Sequence, residues 1–282
     1  MSGIQATAEQ WYELNEGWKE SAAIGRFAAL SARVAKASVR TVAGHSKNVN
    51  SLAWSPSGSR LASGSDDRTA RVWAPDDGSS TMKQTAKLDG HSDSVTQLCW
   101  SPMGGGGEAA SINSLATLAA DRTVRIWDTR APARPAHAIA LACEYINLAW
   151  SPDGRFLAVG SNIGGSAKDD LKDSVTVLDV RAASSPKTKG GGGGDDGAGG
   201  VGRVVKKWKF PCEINELCWA PDSSHVILTT EHGTLELMRL SGGGEAEDSS
   251  NGDAVRPSEA SVCSIAAHTD HCYCIEVDPT RR

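Results

Sequence analysis

Two sets of residues in this sequence contain the three side-chain groups of a hydrolase catalytic triad, namely a hydroxyl, an imidazole and a carboxylate. The first set is His45, Ser63 and Asp67, followed by Trp73, and the second has the same order: His91, Thr117, Asp121 and Trp127. A carboxylate can orient an imidazole, and the imidazole can then accept a proton from the hydroxyl. The same groups can also be purely structural, because indole, hydroxyl, imidazole and carboxylate can satisfy one another's hydrogen bonds when buried.

The repetition of the set favours the structural interpretation. LASGSDDRTARVW, residues 61–73, and LATLAADRTVRIW, residues 115–127, share Asp, Arg, Thr, Arg and Trp in register. Each copy is also followed by a Trp, and no oxyanion-binding motif accompanies either copy. We therefore predict a protein that is not an enzyme, with no catalytic, cofactor-binding or metal-binding residues.

The segments around these sets form repeated strand–turn–strand units. WSPSG, WSPMG, WSPDG and WAPDS begin at Trp54, Trp100, Trp150 and Trp219, and a related VDPTR begins at Val277. Pro and Gly at these positions suit a tight turn, and a short apolar run typical of a buried strand precedes each one. The sequence therefore predicts an all-β fold built from repeated sheets.

Glycine-rich tracts separate parts of these units and predict surface loops, because Gly, Ala, Ser and acidic residues cannot form a core. The tracts are 104–107, 164–170, 190–202 and 242–253. We predict a repeat domain over 37–282 and a helical or flexible segment over 1–36, where Thr7 and Gln10 have the spacing of a capping box.

Composition limits the function classes. The net charge of −5 does not suit a basic nucleic-acid-binding domain, and seven irregularly spaced cysteines favour free thiols in a reducing compartment. The sequence shows no apolar run long enough for a membrane span and no signal-peptide pattern, so we predict no membrane association.

The repeated phrase resembles the WD-repeat family, whose members are β-propellers with four-stranded blades. The resemblance implies that the Trp indole, the Ser or Thr hydroxyl, the His ring and the Asp carboxylate form one hydrogen-bonded tetrad in each of the first two repeats. The third repeat departs from the pattern at Leu178 and Lys172, and the fourth at Met238 and His232.

Residues that are not part of the general repeat pattern make the resemblance more specific. DSVTQLCWSP (93–102), EINELCWAPDSSHVILTTEHGTLELM (213–238) and AAHTDHCYCIEVDPT (266–280) resemble the WD-repeat subunits of the THO complex. This resemblance implies a nuclear scaffold that couples transcription to mRNA packaging and export. It also implies that the partners are other THO subunits, that RNA is reached indirectly, and that there is no small-molecule substrate.

The number of repeats predicts an incomplete ring. Four units and one further strand, 272–277, precede the last residue, Arg282. Propellers of the family that this chain resembles close a ring with more blades than this. We therefore expect an open ring with unpaired strand edges at both ends, because the chain is C-terminally shortened or because a partner covers the gap.

Other interpretations remain open at this stage. WDTR, containing Asp128 and Arg130, resembles the box by which WD-repeat substrate receptors bind cullin–RING ubiquitin ligases. Basic residues around Trp208 could contact RNA by phosphate pairing and stacking; they are Arg203, Lys206, Lys207 and Lys209. Positions near strand starts are candidates for contact with a partner protein: Lys47, Asn48, Asp66, Asp93 and Glu144.

Overall fold

The computed structural model describes residues 41–76, 81–102, 113–143, 145–161, 175–180, 201–210, 212–240, 261–266 and 275. In these ranges the regular structure is entirely β-strand, arranged as four antiparallel sheets of four strands. None of the described segments is a helix that is long and apolar enough to cross a membrane.

Each sheet is formed by four strands that follow one another in the chain. Sheet 1 contains β1 (Val49–Trp54), β2 (Leu61–Ser65), β3 (Thr69–Pro75) and β4 (Met82–Asp89). Sheet 2 contains β5 (Val95–Trp100), β6 (Ser114–Ala119), β7 (Thr123–Asp128) and β8 (His137–Ala140). Sheet 3 contains β9 (Asn147–Trp150), β10 (Phe156–Gly160), β11 (Val175–Asp179) and β12 (Arg203–Trp208). Sheet 4 contains β13 (Ile214–Trp219), β14 (His225–Thr230), β15 (Thr234–Arg239) and β16 (Ser261–Ala266).

In sheets 1, 3 and 4 a tight turn follows the first strand and brings the second strand back beside it. Gly58 and Gly154 have φ angles of 68° and 70°, a region that glycine enters without a steric penalty, and Ser223 takes φ 60° in the fourth sheet. The first and second strands pair with the same register in sheets 1 and 2, with Trp54 opposite Leu61 and Trp100 opposite Leu115. Equal register means that equivalent positions in the four sheets can be compared residue by residue.

The sheets pack face to face in chain order. The first strand of each sheet lies against the first strand of the sheet before it, so that β5 packs on β1, β9 on β5 and β13 on β9. Three apolar clusters fill the three junctions. Among the described strands the series does not close, because β13 and β1 do not pack together in this way. These are four blades of an incomplete β-propeller, which confirms the predicted fold class.

Several predicted features fall outside the described residues. They are the segment 1–36, the tracts 104–107, 164–170 and 242–253, most of the tract 190–202, and the fifth-unit strand 272–277 except Ile275. By position in the chain, the four tracts lie in the β5–β6, β10–β11, β11–β12 and β15–β16 connections.

Candidate functional site

In sheet 1 the structure brings together the four side chains of the first set. The Trp73 indole N–H donates to Ser63 Oγ at 2.9 Å, and Ser63 Oγ lies 2.7 Å from His45 Nε2. His45 Nδ1 lies 2.9 Å from Asp67 Oδ2. Because an ionised carboxylate can only accept, the His45 Nδ1–H donates to Asp67, and in that neutral tautomer Nε2 accepts from the Ser63 hydroxyl.

Sheet 2 repeats this arrangement almost atom for atom. The Trp127 indole N–H donates to Thr117 Oγ1 at 2.8 Å, and Thr117 Oγ1 lies 2.8 Å from His91 Nε2. His91 Nδ1 lies 2.9 Å from Asp121 Oδ2. In both sheets the His ring meets the indole edge to face, with ring centroids 6.4 Å apart.

Each tetrad also connects different parts of the chain. His91 lies between β4 of sheet 1 and β5 of sheet 2, whereas its partners lie on β6, on β7 and in the turn between them. The hydrogen bonds therefore hold the crossing segment against the second blade. His45 holds the segment before β1 against β2 and β3 in the same way.

Burial determines the charge states of the tetrad residues. Burial lowers the pKa of His91, although the Asp121 carboxylate opposes this by raising it. Burial raises the pKa of Asp121, but hydrogen bonds from Thr123, His91 and the Ser92 backbone N–H outweigh it and keep the pKa below its usual range. The second tetrad therefore contains a neutral imidazole beside a carboxylate anion.

The first tetrad holds its carboxylate in a similar way. Burial raises the pKa of Asp67, and hydrogen bonds from Thr69, His45 and the Ser46 backbone N–H lower it well below its usual range. The two hydroxyls at the centre of the tetrads, Ser63 and Thr117, are at most 3% exposed. Each of these hydroxyls is hydrogen-bonded to an indole and an imidazole inside its blade, so the two sets link separate segments of the β-sheets.

Sequence reasoning missed one further residue beside each tetrad, namely Thr69 in sheet 1 and Thr123 in sheet 2. Thr69 and Thr123 donate both their backbone N–H and their hydroxyl to the Asp two positions earlier, with hydroxyl distances of 2.6 and 2.7 Å. The repeated Asp-Arg-Thr triplet was the available signal. The Arg between them adopts a left-handed conformation in both sheets, with φ 69° at Arg68 and φ 60° at Arg122.

A glycine before each tetrad histidine is explained by the indole. A Cβ at Gly44 would lie 2.5 Å from Cη2 of Trp73. A Cβ at Gly90 would lie 2.5 Å from the Arg125 guanidinium and 3.3 Å from Cη2 of Trp127. A Cβ at Gly44 would therefore displace the Trp73 indole, and one at Gly90 would displace the Arg125 side chain and crowd the Trp127 indole.

Sheets 3 and 4 fill the equivalent positions with apolar side chains. In sheet 4, Phe210, Leu228 and Met238 replace the histidine, hydroxyl and indole, and all three belong to one buried cluster. In sheet 3, Leu141, Val159 and Leu178 do so, within the cluster between sheets 2 and 3. His232, at the Asp position of sheet 4, has a side chain that is 68% exposed, and Lys172 lies outside the described residues.

The candidate partner-contact residues fall on two opposite edges of the blades. We call the edge where the first strands begin the entry edge and define it by residues 45–50, 66–68, 91–95 and 121–123. The Asp66 backbone N–H donates to the Asn48 carbonyl, and Asp66 Oδ1 accepts from Asn50 Nδ2 at 2.7 Å. The Asn50 hydrogen bond is the largest of the causes that lower the pKa of Asp66.

Lys47 and Asp93 are exposed on the same entry edge. Asn50 Nδ2 also donates to the Val95 carbonyl at 3.0 Å, which links sheet 1 to sheet 2 at this edge. The structure thus places Lys47, Asn48, Asp66 and Asp93 on one surface across two blades. Glu144 lies outside the described residues.

Asp128 and Arg130 lie at the opposite edge, which we call the Trp edge because the first strands end there at Trp54, Trp100, Trp150 and Trp219. The Arg130 guanidinium donates to both Asp128 oxygens, at 2.9 Å from Nε and 2.6 Å from Nη2. This hydrogen-bonded pair lowers the pKa of Asp128 and raises that of Arg130. Asp128 and Arg130 therefore form an ion pair with each other in this chain.

The interpretation of Trp208 as a stacking surface for RNA is wrong. Trp208 is 0% exposed because it packs in the cluster between sheets 3 and 4, so no base can reach its ring. Arg203 is exposed on β12, and Lys206, Lys207 and Lys209 are partly exposed. Only contact between these basic residues and phosphate groups remains as a prediction.

Comparison with known proteins agrees with this architecture. The sequence profile of the family "WD domain, G-beta repeat" matches residues 36–74 and 82–128, which include both tetrads. Residues 36–74 and 82–128 are therefore WD40 repeats. A search of characterised proteins finds THO complex subunit 3 of Arabidopsis thaliana, 32% identical over 243 residues, or 86% of this chain and 61% of that protein.

Two further relatives are more distant or shorter matches. WD repeat-containing protein AAC3 of Dictyostelium discoideum is 23% identical over 86% of this chain and 45% of its own length. WD40 repeat-containing protein HOS15 of Arabidopsis thaliana is 42% identical over 57 residues, which cover 20% of this chain and 9% of that relative. The resemblance to THO WD-repeat subunits is confirmed, and the chain spans about three fifths of the length of the relative that carries it.

Proposed function

We propose that this protein is a non-enzymatic scaffold subunit of a THO complex in the nucleus. In this role it couples transcription to mRNA packaging and nuclear export by binding other THO subunits. The observation that carries the proposal is the 32% identity to THO complex subunit 3 across 86% of the chain. The similarity extends well beyond the two repeats that match the general WD40 profile.

The geometry supports a binding role. The polar groups that resemble a catalytic set are buried and satisfied by one another. Exposed charged and amide side chains cluster on the entry edge, where Lys47, Asn48 and Asp93 are accessible. Exposed charges on a rigid β scaffold suit protein recognition, because charge complementarity sets specificity and association rate.

Affinity purification from nuclear extract tests the proposal. The tagged chain should recover other THO subunits, and recovery of none of them would contradict the assignment. The double variant Lys47→Glu with Asp93→Lys inverts two entry-edge charges without changing the net charge. We expect it to lower that recovery by about tenfold through lost charge complementarity.

A matched control keeps this test specific. The double variant Lys83→Glu with Asp222→Lys makes the same two exchanges at exposed positions near the Trp edge. It should recover THO subunits as the wild type does. Equal losses in both double variants would indicate a nonspecific charge effect and would remove the entry edge from the proposal.

A second candidate function is a substrate receptor of a cullin–RING ubiquitin ligase. It is favoured by the exposure of the two charged side chains of WDTR, which is 34% for Asp128 and 65% for Arg130. If the protein has this function, Arg130→Ala should abolish recovery of the ligase adaptor, whereas Arg134→Ala, a change at another exposed arginine, should not. If the adaptor is not recovered with the wild-type chain, this candidate is removed.

Direct RNA contact is a third possibility, distinct from the indirect contact that we propose. Direct binding through the basic residues of β12 should weaken steeply with salt and with the double variant Lys206→Glu, Lys207→Glu. We expect neither effect on RNA recovered with the complex.

A further inference from the structure

Three non-glycine residues of the described chain have a positive φ angle, namely Arg68, Arg122 and Ser223. This conformation is unfavourable for a residue with a Cβ, so a compensating interaction is expected for each of them. Ser223 has one inside the chain, because its hydroxyl accepts a hydrogen bond from the Asp153 backbone N–H of the neighbouring sheet at 3.0 Å. The two arginines differ from Ser223 in this respect.

The side chains of Arg68 and Arg122 make no polar contact with the fold. Both are exposed, and within the ranges that the structure describes neither guanidinium takes part in a hydrogen bond or an ion pair. Arg60, by contrast, donates to Thr129 and Asn113 at 2.8 and 2.7 Å. The two guanidinium groups therefore keep all their donors for a partner outside the described chain.

The turn itself does not require arginine. The Arg68 backbone N–H donates to the Ser65 carbonyl at 3.1 Å, and the Arg122 backbone N–H donates to the Ala119 carbonyl at the same distance. In sheet 4, Gly233 makes the equivalent bond and has φ 73°. Because glycine takes this conformation without a steric cost, sheets 1 and 2 gain only the side chain from an arginine here.

The charged residues around the two turns leave this part of the entry edge cationic. Lys47 is exposed there and directly precedes the residue whose carbonyl accepts from the Asp66 backbone N–H. The Asp66 carboxylate accepts a hydrogen bond from Asn50 at 2.7 Å. At the end of β4, Asp89 is ion-paired with Lys87 at 2.8 Å. Both carboxylates are therefore already bonded within the chain and leave the exposed cations of the edge available.

Other carboxylates limit what can bind beside these cations. Asp93 is exposed in sheet 2, at the position that Lys47 has in sheet 1. On the corresponding edge of sheet 4, the partly exposed Glu213 and Glu231 are joined by a backbone hydrogen bond of 3.1 Å. A long polyanion such as RNA lying along this edge would meet these carboxylates, and like charges repel. A short acidic segment of a protein can contact the cations of sheets 1 and 2 alone.

We propose that Arg68 and Arg122 bind a short acidic segment of a partner protein, with each guanidinium paired to one carboxylate. The planar guanidinium fits a carboxylate through two parallel hydrogen bonds. Lys47 adds a third cation, and a neutral or basic residue of the segment faces Asp93. The inference rests on the proposed function only for the identity of the partner, because a THO subunit would supply the segment.

NMR titration of the purified full chain with a peptide of alternating Glu and Gly tests the proposal. This peptide should shift the signals of Arg68 and Arg122, whereas a peptide of alternating Gln and Gly should not. The double variant Arg68→Gly with Arg122→Gly should weaken binding by about tenfold, from a loss of about threefold at each exposed ion pair. Glycine suits this turn, as Gly233 shows, so the variant should keep the fold, which the dispersion of the same spectra checks.

A matched control removes the same two charges at the Trp edge. The double variant Arg130→Gly with Arg134→Gly changes two exposed arginines and should bind the Glu peptide as the wild type does. Equal weakening in both double variants, or no binding of the Glu peptide to the wild type, would overturn the proposal. Tighter binding of a single-stranded uridine oligonucleotide at the same signals would also overturn it, because the arginines would then bind phosphate groups.

Affinity purification from nuclear extract separates this proposal from the THO assignment. The variant with glycine at both Arg68 and Arg122 should recover other THO subunits about tenfold less than the wild type. Wild-type recovery by this variant would overturn the role of the two arginines and leave the THO assignment intact. Recovery of no THO subunit by the wild type, with binding of the Glu peptide retained, would remove the THO assignment and support the acidic-segment site.

Discussion

Blades 1 and 2 and blades 3 and 4 have the same backbone but are stabilised by different chemistry. In sheet 2, His91, Thr117 and Trp127 form a hydrogen-bonded chain that ends on Asp121. In sheet 4, Phe210, Leu228 and Met238 occupy the same positions inside an apolar cluster. The four-stranded sheet therefore does not require the tetrad.

The two designs make different demands on neighbouring residues. Gly44 and Gly90 leave space for an indole, whereas the equivalent positions without an indole are Ala140 and Lys209. Similarly, Gly233 takes the left-handed turn position of sheet 4 with φ 73°, where Arg122 takes it in sheet 2. A satisfied polar network tolerates little change, because removing one member leaves buried partners unsatisfied. An apolar cluster tolerates replacement of similar volume.

The largest effect should come from removing the carboxylate of a tetrad. Asp121→Ala takes the acceptor from His91, Ser92 and Thr123 in a site where the Asp121 side chain is 5% exposed. We expect the free energy of unfolding to fall by about 3–5 kcal/mol, because the His91 and Thr123 donors lose their acceptor and each unsatisfied buried group costs about 1–3 kcal/mol. Urea denaturation measures this. The control Asp128→Ala removes an exposed ion pair and should cost about 0–1 kcal/mol, and equal losses would contradict the distinction.

The central hydroxyl should contribute less. Thr117→Val introduces the residue type that sheet 3 has at Val159, but it leaves His91 Nε2 and the Trp127 indole without their partner. We expect a loss of about 2–4 kcal/mol, since each unsatisfied buried group costs about 1–3 kcal/mol. The reverse change, Val159→Thr, buries a hydroxyl in an apolar cluster and should also destabilise. If both substitutions were neutral in denaturation, the two kinds of blade would be interchangeable.

Acidification should weaken the second tetrad. Because burial lowers the pKa of His91 below the usual 6.5, the unfolded chain binds a proton first as the pH falls through 6.5. The unfolding free energy contributed by His91 is therefore fully present above pH 6.5 and declines below it. The lowered pKa of Asp121 adds a further loss below pH 3.8. NMR titration of the His91 ring together with denaturation at each pH measures both, and greater stability at pH 5 than at pH 7 would contradict the assignment.

The smallest effect concerns the turn that supports the tetrad. Arg122 has φ 60°, which is unfavourable for a residue with a Cβ, and sheet 4 has Gly233 at the same position. We expect Arg122→Gly to raise the free energy of unfolding by about 0.5–1 kcal/mol, as relief of steric cost exceeds the added flexibility of the unfolded chain. Gly233→Arg should lower it. If thermal denaturation showed that Arg122→Gly lowers the free energy of unfolding, the Arg122 side chain would have a stabilising role of its own.

The amino-acid sequence by itself determines the repeating unit of this protein. The apolar runs before each Trp, the turns that follow and the matched register of Trp54 and Trp100 result from local periodicity and turn chemistry, which short segments already contain. The replacement of Trp by Leu178 and Met238 is also visible in the sequence, and it distinguishes the two kinds of blade.

Only the tertiary structure decides which side chains are covered. One interpretation of the sequence has RNA bases stack on Trp208, but the fold buries this ring. Ile265 has the same position in sheet 4 as Trp208 has in sheet 3, and it is open to solvent. Arg130 and Asp128 can be recognised as a motif, but their direct pairing depends on the conformation after β7. The physical reason is that burial depends on which sheet packs on which, and those contacts join residues far apart in the chain.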